Sequence, residues 1–144
     1  MKRFATITAI AALLGTGALA NDNEIFVNQS GSNNYVGDAN NPVEQFGTNN
    51  LMTFTQSGNG NAIGSRVIQD PGLPAGAEAL QRGAKHEMTV IQSGHRNSAE
   101  MLRQRDGDRN ELFIRQGGND NRIEWLSQRG DRNLAEVRQG GNEN

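Results

Sequence analysis

Ten glutamines, at positions 29, 45, 56, 69, 81, 92, 104, 116, 128 and 139, follow one another at intervals of 11 to 16 residues, and the chain has no others. A primary amide offers two donors and two acceptor lone pairs, so members of such a set can hydrogen-bond to one another. That chemistry is pairing rather than catalysis. His86 and His95 lack the spacing and the carboxylate company of a metal or catalytic pair. Asp106-Gly107-Asp108-Arg109-Asn110-Glu111 resembles part of a calcium loop, but the full ligand set is missing and Arg109 sits among the would-be ligands. It reads as a charged turn. Arg129-Gly130-Asp131 is an integrin-type tripeptide whose glycine belongs to the repeat below, and Gln-Gly-Gly-Asn has no strand-to-helix context for holding phosphate. No nucleophile–base pair or carboxylate dyad stands out. The expectation is a protein that is not an enzyme and uses no cofactor or metal.

Five of the glutamines sit in copies of one phrase: NEIFVNQSGSNN (23–34), NLMTFTQSGNGN (50–61), HEMTVIQSGHRN (86–97), NELFIRQGGNDN (110–121) and NLAEVRQGGNEN (133–144). The frame is Asn-x-apolar-x-apolar-x-Gln-x-Gly-x-x-Asn, with His86 in place of the first Asn once. Its apolar members alternate as in a half-buried strand. They are Ile25 and Val27, Met52 and Phe54, Met88 and Val90, Leu112 and Ile114, and Ala135 and Val137. Residues two apart share a strand face, so the opening Asn, both apolar groups and the Gln point the same way. On this reading Phe26, Ile91, Phe113 and Leu134 are exposed apolar groups. Trp125, alternating with Ile123, reads as core filler.

After each Gln, x-Gly-x-x-Asn reads as a turn. Gly31, Gly58, Gly94, Gly118 and Gly141 would supply positive φ, and the asparagines would tolerate left-handed geometry. Weaker copies fill the intervals, so a strand–turn–strand rung of roughly 23–27 residues emerges, and rungs must stack about 4.8 Å apart to bury their faces. Stacking answers the cost of burying amides. Gln29, Gln56, Gln92, Gln116 and Gln139 would form one ladder, and Asn34, Asn61, Asn97, Asn121 and Asn144 another, in the cross-β manner. The predicted fold is an all-β solenoid of about five rungs, near 23–49, 50–85, 86–109, 110–132 and 133–144. The second rung carries a loop at 70–76, where Pro71 and Pro74 cannot serve a central ladder. Pro42 marks a smaller loop. If only one of Gln69 and Gln81 marks a strand, all five strong copies share one face, the arrangement favoured here. If both do, the faces exchange halfway.

The first 20 residues have the layout of a secretory signal peptide: Lys2-Arg3, an apolar run from Phe4 to Leu14 too short to span a bilayer, and an Ala18-Leu19-Ala20 cleavage site. The remaining 21–144 would form the repeat domain. It has no cysteine, although export would permit disulfides. Only 34% of the chain is hydrophobic, too little for a conventional core. Four acidic and no basic residues lie between 21 and 65. After residue 20 the chain holds 12 Lys/Arg against 16 Asp/Glu, a net charge of about −4. Phosphate neutralisation is not favoured, so nucleic acid is not an expected partner.

The frame resembles the curlin repeat of bacterial curli subunits, S-x5-Q-x-G-x-x-N-x-A-x3-Q. It matches at Asn23…Gln29-x-Gly31-x-x-Asn34 and likewise from Asn50, His86, Asn110 and Asn133, and more weakly through Gln45, Gln69 or Gln81, Gln104 and Gln128. The resemblance implies a secreted subunit that leaves through a curli-type outer-membrane channel. At the cell surface it would polymerise with itself, and with another curlin-like subunit, into functional amyloid for adhesion and biofilm matrix. Asn replaces the opening Ser, and charged late copies such as Arg115 and Arg138 are more reminiscent of the minor, nucleating subunit. A monomeric solenoid binding a repetitive surface would need one outward side-chain type and capped ends. Here the outward positions are mixed, and the last copy is expected to leave its strand edge open.

Overall fold

The computed structural model describes residues 22–37, 43–64 and 79–144. The expected signal peptide, Gln69, the 70–76 loop and the bend at Pro42 lie outside the described residues. Within them the protein is all-β, without a helix. The elements are β1 (Glu24–Ser32), β2 (Tyr35–Val36), β3 (Val43–Thr48), β4 (Leu51–Asn59), β5 (Ala62–Ile63), β6 (Ala79–Ala84), β7 (Glu87–His95), β8 (Ser98–Asp108), β9 (Glu111–Asn119), β10 (Arg122–Arg129) and β11 (Leu134–Gln139).

Every strand pair is parallel, and the strands form two sheets. The first runs β1-β4-β7-β9-β11, so all five strong copies lie side by side in one sheet. Their register matches like with like: Gln29 beside Gln56, Gln56 beside Gln92, Gln92 beside Gln116, and Gln116 beside Gln139. The second sheet collects the weaker copies. β8 pairs with β10 on one side and with both β5 and β6 on the other, and β2 and β3 pair with β5 and β6 in turn. Residues 133–144 supply a strand to the first sheet alone.

The core lies between the sheets. Met52, Phe54, Met88, Val90, Leu112 and Ile114 face Ile63, Ala79, Ala99, Leu102 and Ile123, all buried. The expected core residues Ile25, Val27, Ala135 and Val137 are only half-buried, because each has a strand neighbour on one side alone. Phe26 (54% exposed) and Leu134 (72%) face out as expected, whereas Ile91 and Phe113 on inner strands are half-covered by their neighbours.

Trp125 corrects the expectation that it fills the core: it is 52% exposed. On β10 the inward positions are Ile123, beside Ala99, then Leu126, beside Leu102, then Gln128, beside Gln104. Three residues rather than two separate the first inward pair. The strand changes phase there and turns the indole outward. The neighbouring copies show what this phase break accommodates. At the same register β5 ends at Ile63 and β6 begins at Ala79, and β2 ends at Val36 while β3 begins at Val43. Insertions enter where the alternation is already broken.

The turns also differ from expectation. Gly31, Gly58, Gly94 and Gly118 have φ of 92° to 107°, but the left-handed residue closing each turn is the one before the frame Asn. It is Asn33, Gly60, Arg96, Asp120 or Glu143. The frame Asn acts instead through its side chain, which donates to the carbonyl four residues back, as Asn97 does to Ser93 O at 3.2 Å. Glycine is required for a second reason. A Cβ on Gly94 would overlap the carbonyl oxygen of Gly118 in the next strand, whereas a Cβ on Gly140 would meet nothing. Gly94→Ala is therefore expected to cost about 2–4 kcal/mol, from strained φ and overlap together. Gly140→Ala should be neutral. Urea unfolding followed by far-UV circular dichroism compares them, and equal midpoints would refute the close-approach argument.

Candidate functional site: amide ladders and open sheet edges

The glutamine side chains form two continuous ladders. In the first, Nε2 of Gln29 donates to Oε1 of Gln56 at 2.6 Å, Gln56 to Gln92 at 2.9 Å, Gln92 to Gln116 at 2.8 Å and Gln116 to Gln139 at 2.8 Å. In the second, Gln45 donates to Gln81, Gln81 to Gln104 and Gln104 to Gln128 at 2.7–2.8 Å. Every described glutamine after Gln29 also donates to a backbone carbonyl at or near the start of a strand in the opposite sheet. Gln92 reaches Ala62 O at 3.0 Å, and Gln104 reaches Glu87 O at 2.9 Å. The ladders therefore run along each sheet and also tie the two sheets together. Gln56, Gln81, Gln92, Gln104 and Gln116 are fully buried, so the pairing answers their desolvation.

The asparagines form two further columns. Oδ1 of Asn34 accepts from the backbone N–H of Asn61 at 3.0 Å, Asn61 from Asn97 at 3.1 Å, Asn97 from Asn121 at 3.2 Å and Asn121 from Asn144 at 3.3 Å. The side-chain Nδ2 caps the turn glycine of the next copy, as Asn61 does at Gly94 O and Asn97 at Gly118 O. The opening position of the frame forms the other column, through Asn23, Asn50, His86, Asn110 and Asn133. Sequence reasoning did not assign that column, although the frame's first letter was its signal.

His86 shows what the column demands. Nδ1 accepts the Asn110 backbone N–H at 3.2 Å, and Nε2 lies 3.2 Å from Arg82 O. The N–H can only donate and the carbonyl can only accept, so the ring carries its proton on Nε2. Imidazole thereby imitates an amide, one donor and one acceptor at a fixed separation. What it lacks is the second N–H with which Asn50 and Asn110 bond the turn carbonyls Gly83 O and Gly130 O.

The ladders have a direction. Glutamine donates to the glutamine of the later copy, whereas each asparagine Oδ1 accepts from the asparagine of the later copy. At the β1 and β3 edge, Gln29 Oε1 and Gln45 Oε1 accept nothing among the described residues. At the opposite edge the last glutamine turns its donors on its own surroundings: Gln139 Nε2 reaches Arg122 O at 3.3 Å and Asn144 O at 3.2 Å. The two edges are thus complementary in kind.

Charge plays a smaller part. Arg96 grips Asp120 with two bonds of 2.6 Å at adjacent turns, holding the Asp120 carboxyl below its usual range through that hydrogen bond, against the opposing effect of desolvation. A depressed folded pKa adds stability above the unfolded pKa and loses it as pH falls through the folded one. The pair is solvent-exposed, so its contribution is slight. Arg138 lies beside Arg115, and Glu136 pairs with Arg138. Asp106 of the calcium-like stretch meets Arg129 at 2.9 Å, while Asp108 and Asp131 accept backbone N–H groups. No three or more His, Cys, Asp or Glu residues gather to hold a metal among the described residues. No helix there is long and apolar enough to cross a membrane.

No family model, no curated protein and no solved structure matches the chain.

Removing one interior amide leaves a donor and an acceptor stranded in the two neighbouring copies, at about 1–3 kcal/mol each. Gln92→Leu should therefore destabilise by about 2–5 kcal/mol despite its added apolar surface. Gln139→Leu, half-exposed with one neighbour, should cost under about 1.5 kcal/mol. Denaturant midpoints test the order, and the reverse order would refute the ladder energetics. His86→Asn restores the missing N–H and is expected to stabilise by about 1 kcal/mol, seen as a higher midpoint.

Proposed function

We propose that this chain is a secreted, curlin-like structural subunit, an all-β solenoid of about five rungs that adds end to end into extracellular amyloid fibres for adhesion and biofilm matrix. Its partners are other copies of itself, another curlin-like subunit and a curli-type outer-membrane channel for export. The observation that carries the reading is the parallel, in-register pairing of five like copies, glutamine on glutamine. A protein that pairs its own repeats this way presents at each edge a template for the next identical strand. The direction of the ladders favours a heterologous joint, the first copy of one chain on the last copy of another. Two first copies face to face would set Gln29 Oε1 against Gln29 Oε1, whereas the head-to-tail joint lets Gln139 donate onward to Gln29.

The nucleating role is the second reading, supported by Arg115 and Arg138 in register near one edge. Like charges side by side hinder addition of identical chains, which suits a subunit that seeds a more abundant partner.

The central test is incubation of purified 21–144. Thioflavin-positive fibres with meridional diffraction near about 4.7 Å are expected, and a stable monomer at high concentration would refute polymerisation. Gln29→Ala and Gln139→Ala should lengthen the lag more than Gln92→Ala, and equal lags would count against growth from the edges. Seeding a second curlin-like subunit at low ratio separates the roles: a nucleator shortens that subunit's lag without forming fibres readily itself.

A further inference from the structure

Arginine recurs at one outward register of the second sheet. Gln81, Gln104 and Gln128 point inward, so the residue after each points out. The resulting column runs Phe46, Arg82, Arg105, Arg129 across four neighbouring strands, each directly beside the next. Like charges side by side on adjacent strands destabilise a sheet, and the structure offsets them only in part. Arg82 lies 5.8 Å from the centre of the Phe46 ring, and Arg129 meets Asp106 at 2.9 Å. Asp106 is the extra residue of a bulge that shifts the β6–β8 register beyond Arg82. Arg105, in the middle, has its Nε buried without a hydrogen-bond partner among the described residues. On the first sheet the position after the glutamine holds Ser57 in β4 and Ser93 in β7, which solvate without repulsion. Like charges do meet on that sheet, Arg115 beside Arg138 and Glu87 beside Glu111, but as single pairs rather than three abreast. A column kept for stability alone would look like that of the serines.

We propose that this column binds a linear polysaccharide bearing uronic-acid carboxylates, with the sugar chain lying across the strands. Strands recur every 4.7–4.9 Å, so a chain laid across them passes three guanidinium groups on long side chains, each within reach of a carboxylate on the face turned toward the sheet. Arginine suits this role because its planar fork takes a carboxylate with two parallel bonds. Phe46, 45% exposed at the end of the column, offers an apolar ring for a sugar face. Acidic groups beside the column decide against a phosphodiester chain. Asp106 is held against its last arginine, and the Glu44 carboxylate occupies the neighbouring outward position on β3. Sugar hydroxyls can donate to such carboxylates. A DNA backbone has no hydroxyl to donate, so it would meet these carboxylates with repulsion alone.

The test uses the full chain, before any fibre growth registers by light scattering, with immobilised polygalacturonate as the probe. Hydroxyethyl cellulose and single-stranded poly-dT serve as the other arms. Binding to polygalacturonate is expected to weaken in rising salt, with no binding to the neutral glucan and at least about tenfold weaker binding to poly-dT. The triple variant R82Q/R105Q/R129Q should lose about tenfold or more in affinity. Its lysine counterpart R82K/R105K/R129K should retain charge attraction and lose less. R115Q/R138Q, which removes charge from the other sheet, should bind as the parent does. Unchanged binding by the glutamine triple variant overturns the proposal, as does poly-dT binding equal to that of polygalacturonate. Should the triple variant lose its strand signal, Arg129→Gln alone replaces it, and unchanged binding there has the same meaning. Fibre growth is not read in this assay, so its failure and that of the proposed assembly are separable.

Discussion

A buried glutamine amide needs three or four partners at once, and few arrangements of a chain can supply them. Here the solution is repetition. Oε1 takes an N–H from the copy before, one Nε2 proton goes to the copy after, and the other crosses to a carbonyl of the opposite sheet. This works only when like residues lie in register. A slip of one residue would strand every amide and expose the apolar face. The ladders therefore set the register, the register sets which apolar groups meet, and the core of Met52, Phe54, Met88, Val90, Leu112 and Ile114 follows from it.

Where the pattern yields, it yields for reasons that can be named. His86 can stand in the opening column because an imidazole with its proton on Nε2 presents a donor and an acceptor much as an amide does. Glycine cannot be replaced so freely, since the backbone of the next strand passes where a Cβ would sit. In the second sheet the inward positions slip by one residue between Ile123 and Leu126. At the equivalent place in earlier copies the strand is divided, as between Ile63 and Ala79. Divided strands cost little there because no continuous alternation is lost.

The outward faces are under a different constraint. Nothing inside the fold dictates them, so they record solubility, partner choice or both. Threonine and half-covered apolar groups dominate the middle of the first sheet, whereas the second sheet sets arginines side by side and leaves the Trp125 indole in solvent. Three arginines abreast on the second sheet, against the single Arg115–Arg138 pair near the edge of the first, motivate the assignment of a binding surface.

Local periodicity was enough to read the all-β class, the five strong strands, their inward glutamines and apolar pairs, and the turn glycines, because alternation and turn chemistry are properties of neighbouring residues. The gathering of all five strong copies into one sheet was the arrangement favoured from spacing, and Gln81 provides a strand between the second and third. Tertiary structure decided what depends on residues far apart. The opening Asn column, the cross-sheet bonds of each glutamine and the half-burial of Ile25 and Val137 follow from which copy lies beside which. Trp125 was misread because its alternation with Ile123 is genuine locally, but the inward side is chosen by Gln128 lying beside Gln104. The left-handed residue was misplaced onto the frame Asn for a similar reason: composition shows that Asn tolerates that conformation, while the ladder requires its side chain to hold the turn.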